Sequence, residues 1–466
     1  MQEEIISKLN GIVGEKWVVT DPEGVYSYAK EHTMDSYALI APQPAEGCVV
    51  VKPEKAEEIS ELMKLANETK TPVVPKGGKT SLAANAIPEE PSIIISDERM
   101  NKIHEIDEQN LSVTCDSAVT LGDLVAEMNK HDTLYFPLHP GDEGAHFGGM
   151  ISMNAGGVRA IKYGVMRDQV LGMEVVLPNG EIVNFGGSDG KLLKDNAGYD
   201  LKHLLIGSEG TLGFITKVVL KLVPEPKAKG ILIISYDDRS KAFRSVPEMI
   251  QGGIIPQAVE FVERDQIIKT AKDIGENWPM DDDGSCDLIV FMAEDDEDVL
   301  YDKSEAIEKI CEKWGAMDVL IAESSKEQKA ILDTRSHVLP SVEEDIVDMP
   351  DVTVPRSRLA ELIDEIDRLS EKYNTRIPIL AHAGDGNLHV FTLKENGEKP
   401  DYLDDMKSEI YSKTLELGGT ITGEHGIGGL RKKELKQQVT ATEYEIMKKI
   451  KEAFDPNNIF NPNKVI

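Results

Sequence analysis

Apolar side chains recur at helical spacing in two places near the start of the chain. Ile5, Ile6, Leu9 and Ile12 share one face over Glu3–Val13, and Ile59, Leu62, Met63, Leu65 and Ala66 share one over 53–69. Short runs rich in β-branched residues predict strands at 47–51, 73–74, 92–96 and 111–115, and a further helical pattern covers 121–131. The stretch from 14 to 43 has no clear period and reads as irregular. Two β-rich runs, 170–177 and 181–185, flank Pro178-Asn179-Gly180 and predict a hairpin. Leu204, Leu205 and Ile206 form an apolar run before Gly207, Gly210 and Gly213, and Phe214, Ile215, Thr216, Val218 and Val219 follow; the pattern predicts two strands joined by a glycine-rich turn.

Beyond Pro224 and Pro226 the rhythm changes. Predicted strands at 231–235, 258–262, 286–293, 351–354 and 376–382 alternate with helical patterns at 240–251, 299–314 and 357–373, which predicts an antiparallel sheet covered by helices. At 466 residues more than one domain is expected. The boundaries read as an N-terminal helical segment (1–41), a glycine-rich domain (42–225), an α+β domain (226–420) and a C-terminal segment (421–466).

Charge narrows the partners. Acidic residues outnumber basic ones by 83 − 51 = 32, which argues against nucleic acid or an anionic membrane as a partner. The four cysteines, Cys48, Cys115, Cys286 and Cys311, are scattered without a CxxC pair, so neither an iron–sulfur cluster nor a cysteine zinc site is expected. No apolar run is long enough to span a bilayer and the first residues lack the shape of a signal peptide, so a cytoplasmic location is expected.

Two earlier glycine clusters join the one at 207–213: PKGGKTSL (75–82) and HPGDEGAHFGGMISMNAGG (139–157). Glycine lets main-chain N–H groups approach a ligand closely, and such loops suit phosphate. The G-x-G-x-x-G spacing of a dinucleotide-binding strand-to-helix turn is missing, so the first loop reads as a phosphate cradle of another kind, to which its lysines are expected to add charge and Thr80 and Ser81 hydroxyl donors. Further on, His382 and His389 flank a turn, and Glu424 adds a carboxylate; together they suit a divalent ion such as zinc, iron or manganese, or the histidines simply bond the turn. His425 follows directly, an imidazole suited to accepting a proton or to completing the glycine-rich turn. Arg335 and then Arg356 are the cations suited to a substrate carboxylate, although each also suits an ordinary ion pair. Asn387 suits a bond to substrate or to a ligand histidine.

The three clusters, followed in order by AHAGDGNLH (381–389), TGEHGIG (422–428) and FDPNNIFNPNK (454–464), resemble flavoproteins of the vanillyl-alcohol oxidase type. Their fold is shared with p-cresol methylhydroxylase, and the last three motifs are similar to the subgroup of glycolate oxidase FAD subunits and D-lactate and D-2-hydroxyglutarate dehydrogenases. The resemblance implies an α+β protein: a two-subdomain FAD-binding domain, a substrate domain with an antiparallel sheet, and a C-terminal segment returning to the FAD domain. It implies that Lys76, Gly77, Gly78, Lys79, Thr80 and Ser81 wrap the pyrophosphate through main-chain N–H groups. Pro140, Gly141, Asp142, Gly148, Gly149, Ser152, Asn154, Gly156 and Gly157 would line the other side and approach the isoalloxazine, with Glu209, Gly210 and Ile215 at the adenine–ribose end. Some relatives carry a histidine-linked flavin in the first loop; Lys79 stands there in this chain, so FAD is expected to be non-covalent. The wording His139-Pro140-Gly141-Asp142 departs from the commoner pattern. Several members bind a metal at the positions of His382, His389 and Glu424, place the base at His425, and carry an arginine in the segment of Arg335.

The expected activity is therefore oxidation of a small D-2-hydroxy acid, lactate first, with glycolate and 2-hydroxyglutarate behind it. No nicotinamide, haem or cluster motif is present; relatives pass electrons to quinones, a cytochrome, partner subunits or an electron-transferring flavoprotein, and the resemblance implies an outside acceptor here, expected to be an electron-transferring flavoprotein or another redox subunit. The alternatives are a sugar or alditol oxidase of the same fold and an electron-relay subunit.

Overall fold

The computed structural model describes residues 2–131, 133–139, 141–280, 283–322 and 324–466. Contacts divide the chain into two compact units, each assembled from separate pieces. Met1–Gly156, Val165–Glu225 and Glu424–Ile466 make the first; Gly157–Gly164 and Pro226–Gly423 make the second.

The first unit holds two sheets. In the smaller, the strands run in the order Val18–Val19, Val49–Val51, Ile93–Ser96, Val73–Lys76, and the last three are parallel. The two helices expected from apolar spacing, Glu3–Val13 and Ala56–Thr69, bury Ile5, Leu9, Ile59, Leu62 and Met63 in one core with Val49, Val51, Val73, Ile93 and Ile95. The larger sheet is antiparallel, in the order Ile103–Asp107, Ser112–Asp116, Phe214–Lys221, Val170–Val176, Ile182–Phe185. Its last pair is the expected hairpin, with Val176 opposite Ile182.

Two local expectations are corrected. Leu204–Ile206 is not a strand: Lys202–Leu205 is a single helical turn, and only Phe214–Lys221 is extended. A three-residue apolar run has no period of its own. Here Lys202 Nζ donates to Val170 O and Leu171 O, both at 3.1 Å, while Leu205 and Ile206 enter the core beside the larger sheet. The segment 14–43 is also more ordered than its pattern, forming helices Pro22–Ala29 and His32–Ser36. The first is started by Pro22 and by Asp21, whose carboxylate accepts from Gly24 N–H at 2.7 Å. The second is tied down by His32 N–H to Lys79 O and Thr33 N–H to Ser81 O, each 2.9 Å. Caps and tertiary bonds set both, and neither leaves an apolar stripe.

The C-terminal motif FDPNNIFNPNK closes this unit. Asp455 is buried, and its carboxylate accepts from Ile459 N–H (3.1 Å), Phe460 N–H (2.8 Å) and Lys451 Nζ (2.6 Å). That turn lets Ile459 O accept from Val73 N–H and Asn461 N–H donate to Val73 O, both at 2.7 Å, while Phe460 fills the smaller sheet's core.

The second unit is a seven-stranded antiparallel sheet. Its order is Asp318–Ala322, Ala228–Tyr236, Cys286–Glu294, Ala258–Glu263, Ile379–His382, Asn387–Val390, Asp351–Thr353. Helix Arg239–Gln251 packs against Glu297–Lys313 and Leu359–Tyr373. In Leu359–Tyr373 the buried Leu359, Leu362, Ile363, Ile366 and Leu369 form the inner stripe, with acidic residues between them. His382 and His389 sit on adjacent strands joined by a tight turn; at Gly386 (φ +99°) an added methyl would lie 2.1 Å from Val354 O.

Replacing Asp455 by Ala removes three donors' acceptor in a dry site. Hydrogen bonds to a charged group contribute about 1.5–3 kcal/mol each; the variant is expected to lower the urea midpoint of the first unit strongly. An unchanged midpoint would show that the C-terminal return does not depend on this turn.

Candidate active site

In the first unit the glycine loops face one another at main-chain distance. A methyl at Gly78 would stand 2.6 Å from Gly144 O, and one at Gly148 would stand 2.9 Å from Ser117 Cβ. The N–H groups of Gly77, Gly78, Lys79, Thr80 and Ser81 donate no hydrogen bond to any described residue, although the carbonyls of Lys79 and Ser81 are used. Five consecutive uncommitted amides beside a second glycine loop fit the diphosphate of a dinucleotide. The lysine side chains take no part in this surface. Lys76 is fully buried, donating to Ala86 O at 2.8 Å and lying 3.4 Å from Glu31; burial pushes its ammonium pKa down despite that carboxylate. Lys79 (φ +65°) reaches Ser27 O at 3.3 Å and the Tyr28 ring.

Other expected flavin contacts spread over the same unit. Gly141 and Gly149 have open space where a side chain would be, and Asp142 caps Gly144 N–H at 2.8 Å. Pro140 lies outside the described residues. Ser152 turns its hydroxyl back onto Gly148 O (2.8 Å), and Asn154, in the left-handed region, accepts from Arg167 N–H at 2.9 Å. The turn at 207–210 packs on this cluster: Gly207 N–H donates to Ile151 O (3.0 Å) and Glu209 N–H to Ser152 O (2.7 Å). Gly210 backs onto Pro75, and Ile215 is buried in the larger sheet's core. Gly157 falls in the second unit, with the short helix Ala160–Tyr163.

Glu209 is the turn's polar centre. Its carboxylate accepts from Ile427 N–H (2.9 Å), Gly428 N–H (2.6 Å) and Asn85 Nδ2 (2.5 Å), so it ties TGEHGIG to the glycine surface. Burial pushes its carboxyl up to about 7, and these donors only partly offset that. The same segment lays Glu424 on Gly156, where an added methyl would lie 3.2 Å from Glu424 Oε2. His425 Nε2 stands 3.8 Å from Glu424 Oε1.

The second unit brings together His382, His389, Arg335 and Asn387, four of the expected site residues, and adds two carboxylates. The His382 and His389 rings are edge to face with centroids 5.2 Å apart. Glu260, fully buried, lies opposite His382 in the sheet; both its oxygens are 2.9 Å from His382 Nδ1, and Oε2 also accepts from Arg335 Nε at 2.9 Å and from its Nη2. Burial would raise the Glu260 carboxyl, but the charges of His382 and Arg335 hold it below its ordinary value. A carboxylate on Nδ1 fixes the ring, the usual support of a metal-binding histidine. Asp351 accepts from Asn387 Nδ2 (2.6 Å), Thr422 Oγ1 (2.9 Å) and Gly423 N–H (2.9 Å), and its Oδ1 is 3.7 Å from His389 Nδ1. Asn387 thereby spends its amide group on the fold, and its buried Oδ1 has no partner among the described residues. Arg356, half-buried just past Asp351–Thr353, makes no ion pair among the described residues.

Neither Glu260 nor Asp351 was expected from the sequence. Glu260 did leave a signal: a charge inside the apolar strand run Ala258–Glu263 needs a partner.

A glycine surface of uncommitted amides defines a protein built to hold a dinucleotide diphosphate. The solved structures agree on the architecture. A 4-ethylphenol oxidase from Gulosibacter chungangensis matches with TM-score 0.78 at 16% identity, covering 99% of this chain and 96% of that one. A p-cresol methylhydroxylase matches with TM-score 0.76 at 16% identity and the same coverage. Residues 48–186 match the FAD binding domain, and residues 225–465 match the C-terminal domain of FAD linked oxidases. D-lactate dehydrogenase of Archaeoglobus fulgidus is 39% identical over 92% of this chain and 93% of its own length. Glycolate oxidase subunit GlcD of Bacillus subtilis is 36% identical over 89% and 88%. The chain belongs to the FAD-linked oxidase family that includes these D-lactate dehydrogenases and glycolate oxidase subunits, and it is an FAD-linked oxidoreductase.

Two substitutions test these polar centres. Glu260→Gln leaves Arg335 and His382 without their charged partner, and a broken buried pair costs about 3–5 kcal/mol; a clear fall in the second unit's melting temperature is expected. Glu209 binds its proton more tightly folded (about 7) than unfolded (4.5), so its contribution is full below pH 4.5 and is lost as pH rises towards 7. Relative to Glu209→Gln, the native chain is expected to lose about 3 kcal/mol over that window, measured by denaturation of the flavin-free protein; parallel profiles would contradict it.

Proposed function

We propose that the chain oxidises a D-2-hydroxy acid, D-lactate first, to the corresponding 2-oxo acid. The observation that carries this reading is the buried group of His382, His389, Glu260 and Arg335 in a chain whose relatives include D-lactate dehydrogenases at 36–39% identity.

When bound, non-covalent FAD supplies the acceptor for the α-hydrogen and its electron pair. A divalent ion (zinc, iron or manganese) would be held by His382, His389 and Glu424 and would acidify the substrate hydroxyl. Glu260 fixes the orientation of the His382 ring through Nδ1. Arg335 binds the substrate carboxylate; Glu260, on its Nε and Nη2, fixes the plane of the guanidinium. Arg356 is the second candidate, since it has no carboxylate partner among the described residues. Asn387 offers its buried Oδ1 to the substrate. His425 takes the hydroxyl proton on its imidazole. Two electrons and two protons leave the alcohol, and the electrons pass on to a flavoprotein of the electron-transferring type or another redox subunit. The enzyme is read as cytoplasmic; no described helix is long and apolar enough to cross a membrane.

Likeness to a glycolate oxidase subunit favours glycolate as the second reading. Anaerobic bleaching of the yellow protein by D-lactate, L-lactate, glycolate and D-2-hydroxyglutarate, before and after chelation, separates the possibilities. D-lactate is expected to bleach fastest, chelation to slow it, and His425→Ala to slow it by at least about a hundredfold. Absence of bleaching by every acid in the panel would sink the proposal. Arg335→Lys is expected to raise the half-saturating lactate concentration about tenfold or more.

A further inference from the structure

We propose that His146, paired with Asp97, is a flavin-dinucleotide contact: its imidazolium supplies the positive charge and the side-chain donor for the FAD diphosphate at the first glycine loop.

A side-chain cation would add to the pull of the amides on a diphosphate. The chain carries a formal charge of −32, and a diphosphate adds two negative charges. Amides alone bring dipoles, and the two lysines of the loop do not bring their charges to it. Lys76 is sealed inside against Glu31 and Ala86, and Lys79 turns towards Ser27 and Tyr28.

His146 lies where those lysines do not. Its ring packs under the two glycines: a methyl at Gly77 would be 3.8 Å from His146 Nδ1, and one at Gly78 would be 3.3 Å from His146 Cδ2. Nδ1 is 2.8 Å from Asp97 Oδ1, and Asp97 is buried. The Cδ2–Nε2 edge therefore runs beneath Gly78, and Nε2 has no partner among the described residues. With Asp97 accepting at Nδ1, a protonated ring offers Nε2–H as a second donor. Burial opposes that proton, but Asp97, with Glu98 and Asp123 further off, raises the His146 pKa above its ordinary value. Asp97 also lies beside Gly148 of the second loop, where a methyl would be 3.6 Å from its Oδ2. The pair thus stands between the first and second glycine loops, both inside the residues that match the FAD binding domain.

The inference rests on FAD binding and is independent of the hydroxy-acid reading, so its test uses no substrate. Release of FAD from the purified holoenzyme is followed by the rise of free-flavin fluorescence, at low and high potassium chloride. A charge-assisted hydrogen bond to phosphate predicts about tenfold to a hundredfold faster release from His146→Gln at low salt. Release from the native protein should quicken with salt more steeply than release from that variant. His146→Lys restores a cation and is expected to hold flavin better than His146→Gln, including the case in which His146→Gln is purified colourless. Equal release from native protein and His146→Gln at every salt concentration overturns the proposal, as does His146→Lys losing flavin as completely as His146→Gln.

Discussion

Main chain against main chain, with no room for a Cβ, is the constraint on which the first unit depends. Gly78 meets Gly144 O, at Gly186 an added methyl would fall 2.4 Å from Leu171 O, and at Gly428 one would fall 1.9 Å from Ala83 O. Where the segments approach so closely, the amides of 77–81 are not consumed by a sheet and donate to no described residue. The same closeness explains why charge has to reach the surface from underneath: a side chain on the loop has nowhere to go but away from it, as Lys76 and Lys79 do.

The second unit solves a different problem, holding ionised groups in a dry sheet. Glu260 and Asp351 are each wholly buried and are tolerable only because every oxygen is engaged. Glu260 takes a guanidinium and an imidazole at once, so the orientation of the proposed substrate cation and that of a proposed metal ligand are fixed by one carboxylate. Asp351 performs the matching service for Asn387 and for the turn at Thr422 and Gly423, one peptide bond before Glu424. Rigid support of this kind lets a few side chains be positioned for chemistry without loops that must first be ordered.

The family motifs acquire physical meanings here that differ from segment to segment. FDPNNIFNPNK is a carboxylate-pinned turn whose product is the seating of Phe460. EHGIG is a strap whose amides satisfy Glu209, which is why a glutamate in the left-handed region is kept in a buried place. AHAGDGNLH is a hairpin whose Gly386 turn sets His382 beside His389.

By itself the sequence determined the long amphipathic helices, the hairpin at Pro178–Gly180, the antiparallel character of the second half, the glycine surface and the family. Each is written in neighbouring residues, as a period, a turn dipeptide or a motif. Short apolar runs such as Leu204–Ile206 carry no period, so packing against the larger sheet chose a helical turn there. Tertiary structure alone decided where charges went. Glu260 meets Arg335 across 75 positions and His382 across 122, and His146 meets Asp97 across 49. A partner that distant leaves no local pattern, and only the sheet register and the glycine-tight approach of the loops bring it into reach.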